Sequence, residues 1–386
     1  MKILHICLCG PVTDGWSYQD NLLPKYHKVL GHEVTVLASE WVFDEQGRLA
    51  LDQRKHYYNE YGVKTIRIKS KWKTHINSKI RIYKGIRQVV DQECPDIIFI
   101  HGCQLVQLRD IYQYASRYKD TRIYVDNHSD FSNSASNWLS RKILHRLVWR
   151  FCAQKIEPYT TKFYGVLPAR VDFLAEMYDL PRDKIELLVM GADDELVKSA
   201  TQPQVRQSIR DKYDIQAKDF LVVTGGKIDS AKKQTLLLME AIKRINRKDV
   251  KLIVFGSVTP ELKFAVEHSC CGTTVQYIGW ISSDESYAHF AAADLVVFPG
   301  RHSVFWEQVV GLGIPMIVKY WEGTTHIDVG GNCDFLYEDS VDEIQDKILA
   351  LIDDPVRYKE MKLVAETKGM GVFSYRKIAE KSIAEE

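Results

Sequence analysis

Glu307 stands in the run Pro299-Gly300-Arg301-His302-Ser303-Val304-Phe305-Trp306-Glu307-Gln308, directly after the apolar segment Leu295 to Phe298. That segment reads as a strand, and a helix is expected from Val304 or Phe305 with Ser303 as its N-cap. Gly311-Leu312-Gly313-Ile314-Pro315 closes the helix before another strand. A helix N-terminus offers unpaired backbone N–H groups and the positive end of a dipole, which suits a diphosphate. A carboxylate one turn in can accept hydrogen bonds from two vicinal sugar hydroxyls. The same position also suits an acid that only stabilises the helix dipole. A second group lies after the strand-like Phe220 to Thr224, where Gly225-Gly226-Lys227 precedes Lys232 and Lys233. Two cations flanking a turn at a strand end can neutralise a leaving diphosphate without a metal. A third follows the strand-like Arg122 to Val125: Asp126, His128 and Asp130. His128 is a candidate for acid–base work at a strand end, and His101, after Asp96 to Ile100, is a weaker second candidate. Asp126 and Asp130 lack an evident third ligand, so no metal is expected there.

The elements that must position these residues alternate along the whole chain. Strands are expected at Lys2 to Leu8, Glu33 to Ala38, Lys64 to Ile68, Asp96 to Ile100, Arg122 to Val125, Phe163 to Val166 and Leu187 to Val189. The pattern restarts with Phe220 to Thr224, Lys251 to Phe255, Val275 to Ile278, Leu295 to Phe298 and Met316 to Val318. Strands separated by helices imply parallel sheets covered on both faces. The length, 386 residues, exceeds one ordinary core and implies two doubly wound α/β domains. The polar stretch Lys198 to Gln207 reads as the linker. The expected division is 1–197, 198–365 and a final helix over 366–386. Two such domains create a cleft, with ligands beyond the carboxyl ends of the strands.

The segment AADLVVFPGRHSVFWEQVVGLGIPMIV resembles the donor-binding segment of the family-4 glycosyltransferases, retaining enzymes of the GT-B fold with two Rossmann-like domains. There a strand, a loop with one glutamate and glycines, a second glutamate on a helix and Gly-x-Pro follow in order. The resemblance implies that His302, Ser303, Val304 and Phe305 hold the donor sugar and diphosphate, and that Glu307 or Gln308 holds the nucleotide ribose. Gln308 stands at the family's common distance from Pro315; Glu307 is preferred because a carboxylate is the better acceptor for a diol. The loop departs from the pattern: it is shorter, and His302-Ser303 stand where Glu-Gly-Phe-Gly would be. In GGKIDSAKKQTLLLMEA, the family's Gly-Arg and following lysine match Gly226-Lys227 and either Lys232 or Lys233. Counting back from the helix favours Lys233. Lysine for arginine keeps the charge and loses the bidentate fork. CLCGPVTDGW resembles the opening strand and loop, where Gly10 and Gly15 would let backbone approach a ligand closely. The family commonly has a histidine near the reacting sugar, and His128 matches it best. LLVMGADDELV, with Gly191 and Asp193, resembles the exit from the first domain, and FSYRKIAEK the helix that crosses back.

Composition narrows the classes further. Hydrophobic residues are 45% and charged residues 27%, ordinary for a globular protein. A net charge of +1 gives no overall attraction to nucleic acid, and none is expected as a partner. G-x-G-x-x-G is absent between the first strand and helix, which argues against a dehydrogenase. The eight cysteines form no C-x-x-C pair and suggest idle thiols in a reducing compartment. With no signal peptide or membrane-spanning run read, the cytoplasm is the expected location, extending to the inner face of the membrane. Lys69 to Arg87 carries Lys69, Lys71, Lys73, Lys79, Arg81, Lys84 and Arg87 interleaved with Trp72, Ile76, Ile80, Tyr83 and Ile86. Trp138 to Phe151, WLSRKILHRLVWRF, is similar. Basic amphipathic helices of this kind can lie on anionic membranes; both stretches are equally readable as surface helices whose apolar faces join the core.

The expected function is sugar transfer from a nucleotide-diphosphate donor to a hydroxyl acceptor, a lipid-linked or polysaccharide precursor, with no cofactor or metal. Retention is implied by the resemblance alone. Nucleotide-sugar epimerisation on the same fold and a non-catalytic binding subunit are the alternatives.

Overall fold

The computed structural model describes residues 1–44, 47–71, 81–131, 134, 138 and 140–384. Two compact units are present: Met1–Val189 with Ile378–Glu386, and Met190–Lys377.

The first unit contains β1 (Lys2–Cys7), β2 (Glu33–Ser39), β3 (Trp41–Phe43), β4 (Leu49–Leu51), β5 (His56–Tyr58), β6 (Lys64–Ile68), β7 (Ile97–His101), β8 (Arg122–Asn127), β9 (Thr160–Gly165) and β10 (Ile185–Leu187). Eight of these form one sheet in the order β10-β9-β8-β7-β1-β2-β6-β5. All its ladders are parallel except the edge pair β5 with β6. Helices cover both faces, so the strands bury almost every residue, as Ile3, Leu4 and Ile6 do in β1. His5 breaks that apolar run and is fully buried. From β1 the chain winds first towards β2 and β6, then returns to β7 and β8 on the other side. The carboxyl ends of β1 and β7 therefore flank a topological switch point.

The second unit contains β11 (Phe220–Gly225), β12 (Val250–Phe255), β13 (Val275–Tyr277), β14 (Leu295–Phe298), β15 (Met316–Lys319) and β16 (Cys333–Leu336). Its sheet is wholly parallel, in the order β13-β12-β11-β14-β15-β16. The switch point lies between β11 and β14. Val222, Leu252, Val254, Leu295, Val297 and Ile317 form the centre of its core. Both units have the doubly wound form expected from the alternating pattern. β3 to β5 and β16 were not legible in sequence, because at three or four residues they are too short to set a pattern.

The polar stretch expected as a linker is ordered helix. The helices Asp194–Ala200 and Pro203–Lys212 belong to the second unit. Asp193 caps the first by accepting from the backbone N–H groups of Glu195 and Leu196 at 3.0 and 3.4 Å. Arg206 and Arg210 of the second reach Asp294 at 2.6 and 3.1 Å and the carbonyls before it. Surface polarity disguised a helix whose arginines fasten it to the turn before β14. At the other end, the helix Pro355–Phe373 also packs in the second unit, and only Ile378–Glu386 completes the first.

The turns after β11 and β12 touch through their backbones. Gly256 has φ +127°, and a Cβ there would stand 1.9 Å from the Gly226 carbonyl oxygen. Gly256→Ala should cost on the order of 3 kcal/mol through strain. Differential scanning calorimetry should then find the melting temperature of this unit lowered by roughly 6–12 °C.

Candidate functional site

The carboxyl ends of β11 and β14 border a depression of about 340 Å³ in the second unit. Thr224, Gly225, Gly226, Lys227, Lys232, Pro299, Gly300, Arg301 and Ser303 line it, with Phe255 and Phe298 behind. Its position is the one physics favours in such a sheet, since strand ends diverge at a switch point. Gly226 has φ +122°, and a Cβ there would lie 3.9 Å from both the Lys232 ammonium and the Phe305 ring. These three residues thus converge on one corner. Phe305 is fixed edge-on against Phe255 and Phe290.

Three lysines were candidates, and the structure separates them. Lys232 is half-buried and lines the depression. Burial lowers its ammonium pKa from the ordinary lysine value, with Asp229 opposing. Lys227 lines the same space but is exposed, 3.6 Å from Asp229. Lys233 is exposed and is not among the lining residues. The turn is held by Asp229, whose carbonyl accepts from Lys232 N–H at 2.9 Å and whose carboxylate accepts from Ala231 N–H at 3.0 Å. That geometry presents Lys232 inward, whereas counting back from the helix favoured its neighbour.

The helix after β14 spans Phe305–Gly311. Its N-cap is Val304, in helical conformation and without a side-chain cap. Ser303 therefore does not fill the capping role expected of it; its carbonyl accepts from Trp306 N–H at 3.0 Å instead. Glu307 is fully buried, and its Oε1 accepts from His302 Nε2 at 2.8 Å and from His326 Nε2 at 3.0 Å. Although burial favours the neutral acid, these two imidazoles hold the carboxyl well below the ordinary glutamate range. His326 lies in the short turn Thr325–Ile327, and nothing in the sequence linked it to Glu307. The three side chains are spaced like metal ligands. Both ring nitrogens lie within hydrogen-bond distance of one Glu307 carboxylate oxygen. Four buried polar atoms around this helix have no hydrogen-bond partner: Trp306 Nε1, Glu307 Oε2, Gln308 Oε1 and His326 Nδ1. Two of them, Glu307 Oε2 and Gln308 Oε1, are acceptors suited to hydroxyl groups.

In the first unit, His128 follows β8 with its side chain 39% exposed and Nε2 3.5 Å from Asp126 Oδ2. Asp126 is fully buried and also faces His101 Nδ1 at 2.8 Å. Asp130 pairs with Arg170 at 3.2 Å, while Asp126 groups with His101 and His128 at a spacing that metal ligands could share, two partners the sequence reading did not see. His101 is the centre of the cluster rather than a minor candidate, with Asp20 and Cys7 also close. His5 and His27, which join it, were missed. The available signal was a histidine inside an apolar strand that must be buried on both faces. Gly15 has φ +77°, and its N–H donates to Glu60 at 2.6 Å. Of the basic stretch 69–87, residues 72–80 lie outside the described residues; in the rest, Tyr83 and Ile86 are buried in the core while Lys84 and Arg87 are exposed.

Residues 219–354 match the family model described as Glycosyl transferases group 1. None of the curated proteins matches the chain. Solved structures resemble it over nearly its full length. A glycosyltransferase from Rickettsia africae superposes with a TM-score of 0.70 at 15% identity, covering 99% of this chain and 96% of that one. Anabaena HepE, crystallised with UDP, gives 0.69 at 15% identity over 99% and 98%. A UDP-GlcNAc 2-epimerase from Neisseria meningitidis gives 0.60 at 12% identity over 99% of both chains. At these identities the likeness establishes the fold, which is GT-B.

Proposed function

We propose that this GT-B chain, whose residues 219–354 match the family model described as Glycosyl transferases group 1, is a transferase that moves a sugar from a nucleotide-diphosphate donor to a hydroxyl acceptor with retention. The observation that carries this reading is the depression between β11 and β14, lined by Lys227, Lys232 and Arg301. A leaving diphosphate placed there meets cations fixed before the reaction begins, which lowers the barrier without reorganisation or a metal. Glu307 Oε2 and Gln308 Oε1 are buried acceptors in need of donors, and ribose hydroxyls would supply them. Glu307 or Gln308 would hold the ribose in this reading, with Glu307 preferred for its charge. His302, which stands where the family has its first glutamate, holds Glu307 in place. HepE has been crystallised with UDP-glucose, which makes uridine nucleotides the first donors to test.

The test is nucleotide release by the purified protein from a panel of nucleotide sugars, with and without a membrane extract. Acceptor-dependent release is expected. Isomerised donor without release would replace the proposal with an epimerase, and binding without turnover under any acceptor would leave only a binding subunit.

A membrane-borne acceptor fits the surface around residues 138–151. The π-helix Ser140–Trp149 and the turn after it bury His145 and Trp149. Trp138, Ile143, Leu147 and Phe151 are 69%, 44%, 63% and 61% exposed, interspersed with Arg141, Lys142 and Arg146. An exposed apolar stripe with basic flanks matches an interfacial helix, and not one that gives its whole apolar face to the core. We expect sedimentation with vesicles containing anionic phosphatidylglycerol, and about tenfold weaker binding by a Leu147→Glu, Phe151→Glu variant. Equal binding to neutral vesicles, or no sedimentation, removes the membrane from the proposal. No helix among the described residues is long and apolar enough to cross a membrane.

A further inference from the structure

Three buried histidines run in a line through the first unit, and their hydrogen bonds can be given a direction. His101 Nε2 lies 3.0 Å from His5 Nδ1. His5 Nε2 lies 2.9 Å from His27 Nδ1. His27 Nε2 meets the Ser382 hydroxyl at 2.9 Å and the Ala379 carbonyl at 3.2 Å. The same Ala379 carbonyl accepts from the Ser382 hydroxyl at 2.9 Å. All three rings are buried, with His101 the most exposed at 3%.

The far end decides the rest. A backbone carbonyl can only accept, and the serine proton already points to it, so His27 carries its proton on Nε2. Neutral His27 then accepts at Nδ1 from His5 Nε2–H. Neutral His5 accepts at Nδ1 from His101 Nε2–H. His101 Nδ1 makes no well-aligned hydrogen bond, but it lies 2.8 Å from Asp126 and 3.1 Å from Asp20, and two carboxylates that close favour a proton on it. His101 is left with a proton on both nitrogens.

We propose that the line His27–His5–His101, anchored on the C-terminal segment at Ala379 and Ser382, keeps His101 an imidazolium and so fixes the charge on Asp126 beside His128. The positive ring keeps Asp126 a carboxylate. That carboxylate lies 3.5 Å from His128 Nε2 and puts a fixed negative charge beside that ring. In the transferase reading, on which this part rests, that pair serves the acceptor hydroxyl. His5, His27 and His101 are then positioning residues, and His128 is the group that would touch substrate.

The electrostatics agree with the geometry. Burial, joined by the neighbouring histidines, pushes His5 well below the ordinary histidine range, and burial takes His27 down to about 3. For His101 burial works the same way, but Cys7, Asp126 and Asp20 outweigh it and hold its proton well above that range. The titratable groups facing His101 are Cys7 and His5 on β1, Asp20 and His27 on the first helix, Asp126 on β8 and His128 after it.

Long-range proton–nitrogen NMR of the full chain with 15N-labelled histidine tests this without any substrate. One histidine, assigned by its loss in His101→Gln, should stay doubly protonated from pH 6 to 9, while His5 and His27 show the Nε2–H tautomer. In His27→Phe, His5 is free to turn its proton towards His101, and His101 should lose its second proton at least one pH unit lower. His101 found neutral at pH 8 in the unsubstituted protein overturns the proposal, whether or not His27→Phe folds. So does stoichiometric zinc whose removal by a chelator restores a second proton to His101, because the cluster would then be a metal site. Absence of turnover with every donor would count against the transferase reading and leave the NMR result standing.

Discussion

Lys232→Ala is expected to lower nucleotide release by about 10²-fold or more, with a much smaller effect of Lys233→Ala. The ammonium of Lys232 is half-buried against the depression, in surroundings that already oppose its charge. A diphosphate bound there would find a cation poorly solvated by water and therefore strongly attracted. Loss of one such donor in an oriented site costs about 3 kcal/mol in the transition state. Lys227 is exposed and shared with Asp229, so its removal should cost only about 1 kcal/mol, roughly fivefold. Lys233→Ala should stay within about twofold, because its side chain points to solvent. Single-turnover rates with saturating donor distinguish the three. If Lys233→Ala is the damaging substitution, the turn after β11 rearranges on binding and the assignment fails.

Glu307→Ala is expected to damage both stability and donor binding. One buried oxygen accepts from two imidazoles, and its removal leaves two buried N–H groups unsatisfied. Breaking a buried charged pair costs about 3–5 kcal/mol. Calorimetry should find the melting temperature lowered by roughly 6–20 °C, and titration with UDP or its replacement from the donor panel should find at least tenfold weaker binding. Glu307→Gln keeps an acceptor and loses the charge, so it separates the two contributions. The carboxyl pKa is depressed in the folded chain. Its stabilising contribution is therefore complete above the ordinary glutamate value and is lost only as pH falls well below 4.5 towards the folded value. The stability gap between the unsubstituted protein and Glu307→Gln should be flat from pH 8 to 5 and narrow in stronger acid. A gap that narrows already between pH 7 and 6 would overturn the assignment of this stability to the Glu307 carboxylate. Unaltered donor affinity in both variants would remove Glu307 from the site.

How much of this was legible beforehand depends on the range of the interaction. Apolar strands such as Leu295–Phe298 declared themselves, because a parallel strand buried on both faces is apolar throughout. The turns that follow them were legible for the same reason, and with them the candidates Lys227, Lys232, His302 and Glu307. Arg206 and Arg210 misled, since an exposed polar run looks the same whether it is loose or bound to Asp294.

The sequence by itself determined the doubly wound class, the restart near residue 220 and the strand ends where ligands would gather, because these follow from local periodicity and turn chemistry. Only the tertiary structure decided which of two adjacent lysines faces inward, that His326 joins His302 on Glu307, and that His5, His27 and His101 form one line. Those pairings cross from 19 to 96 residues of chain. Contacts of that kind are set by which strands become neighbours in the sheet, and no local pattern of residues records it.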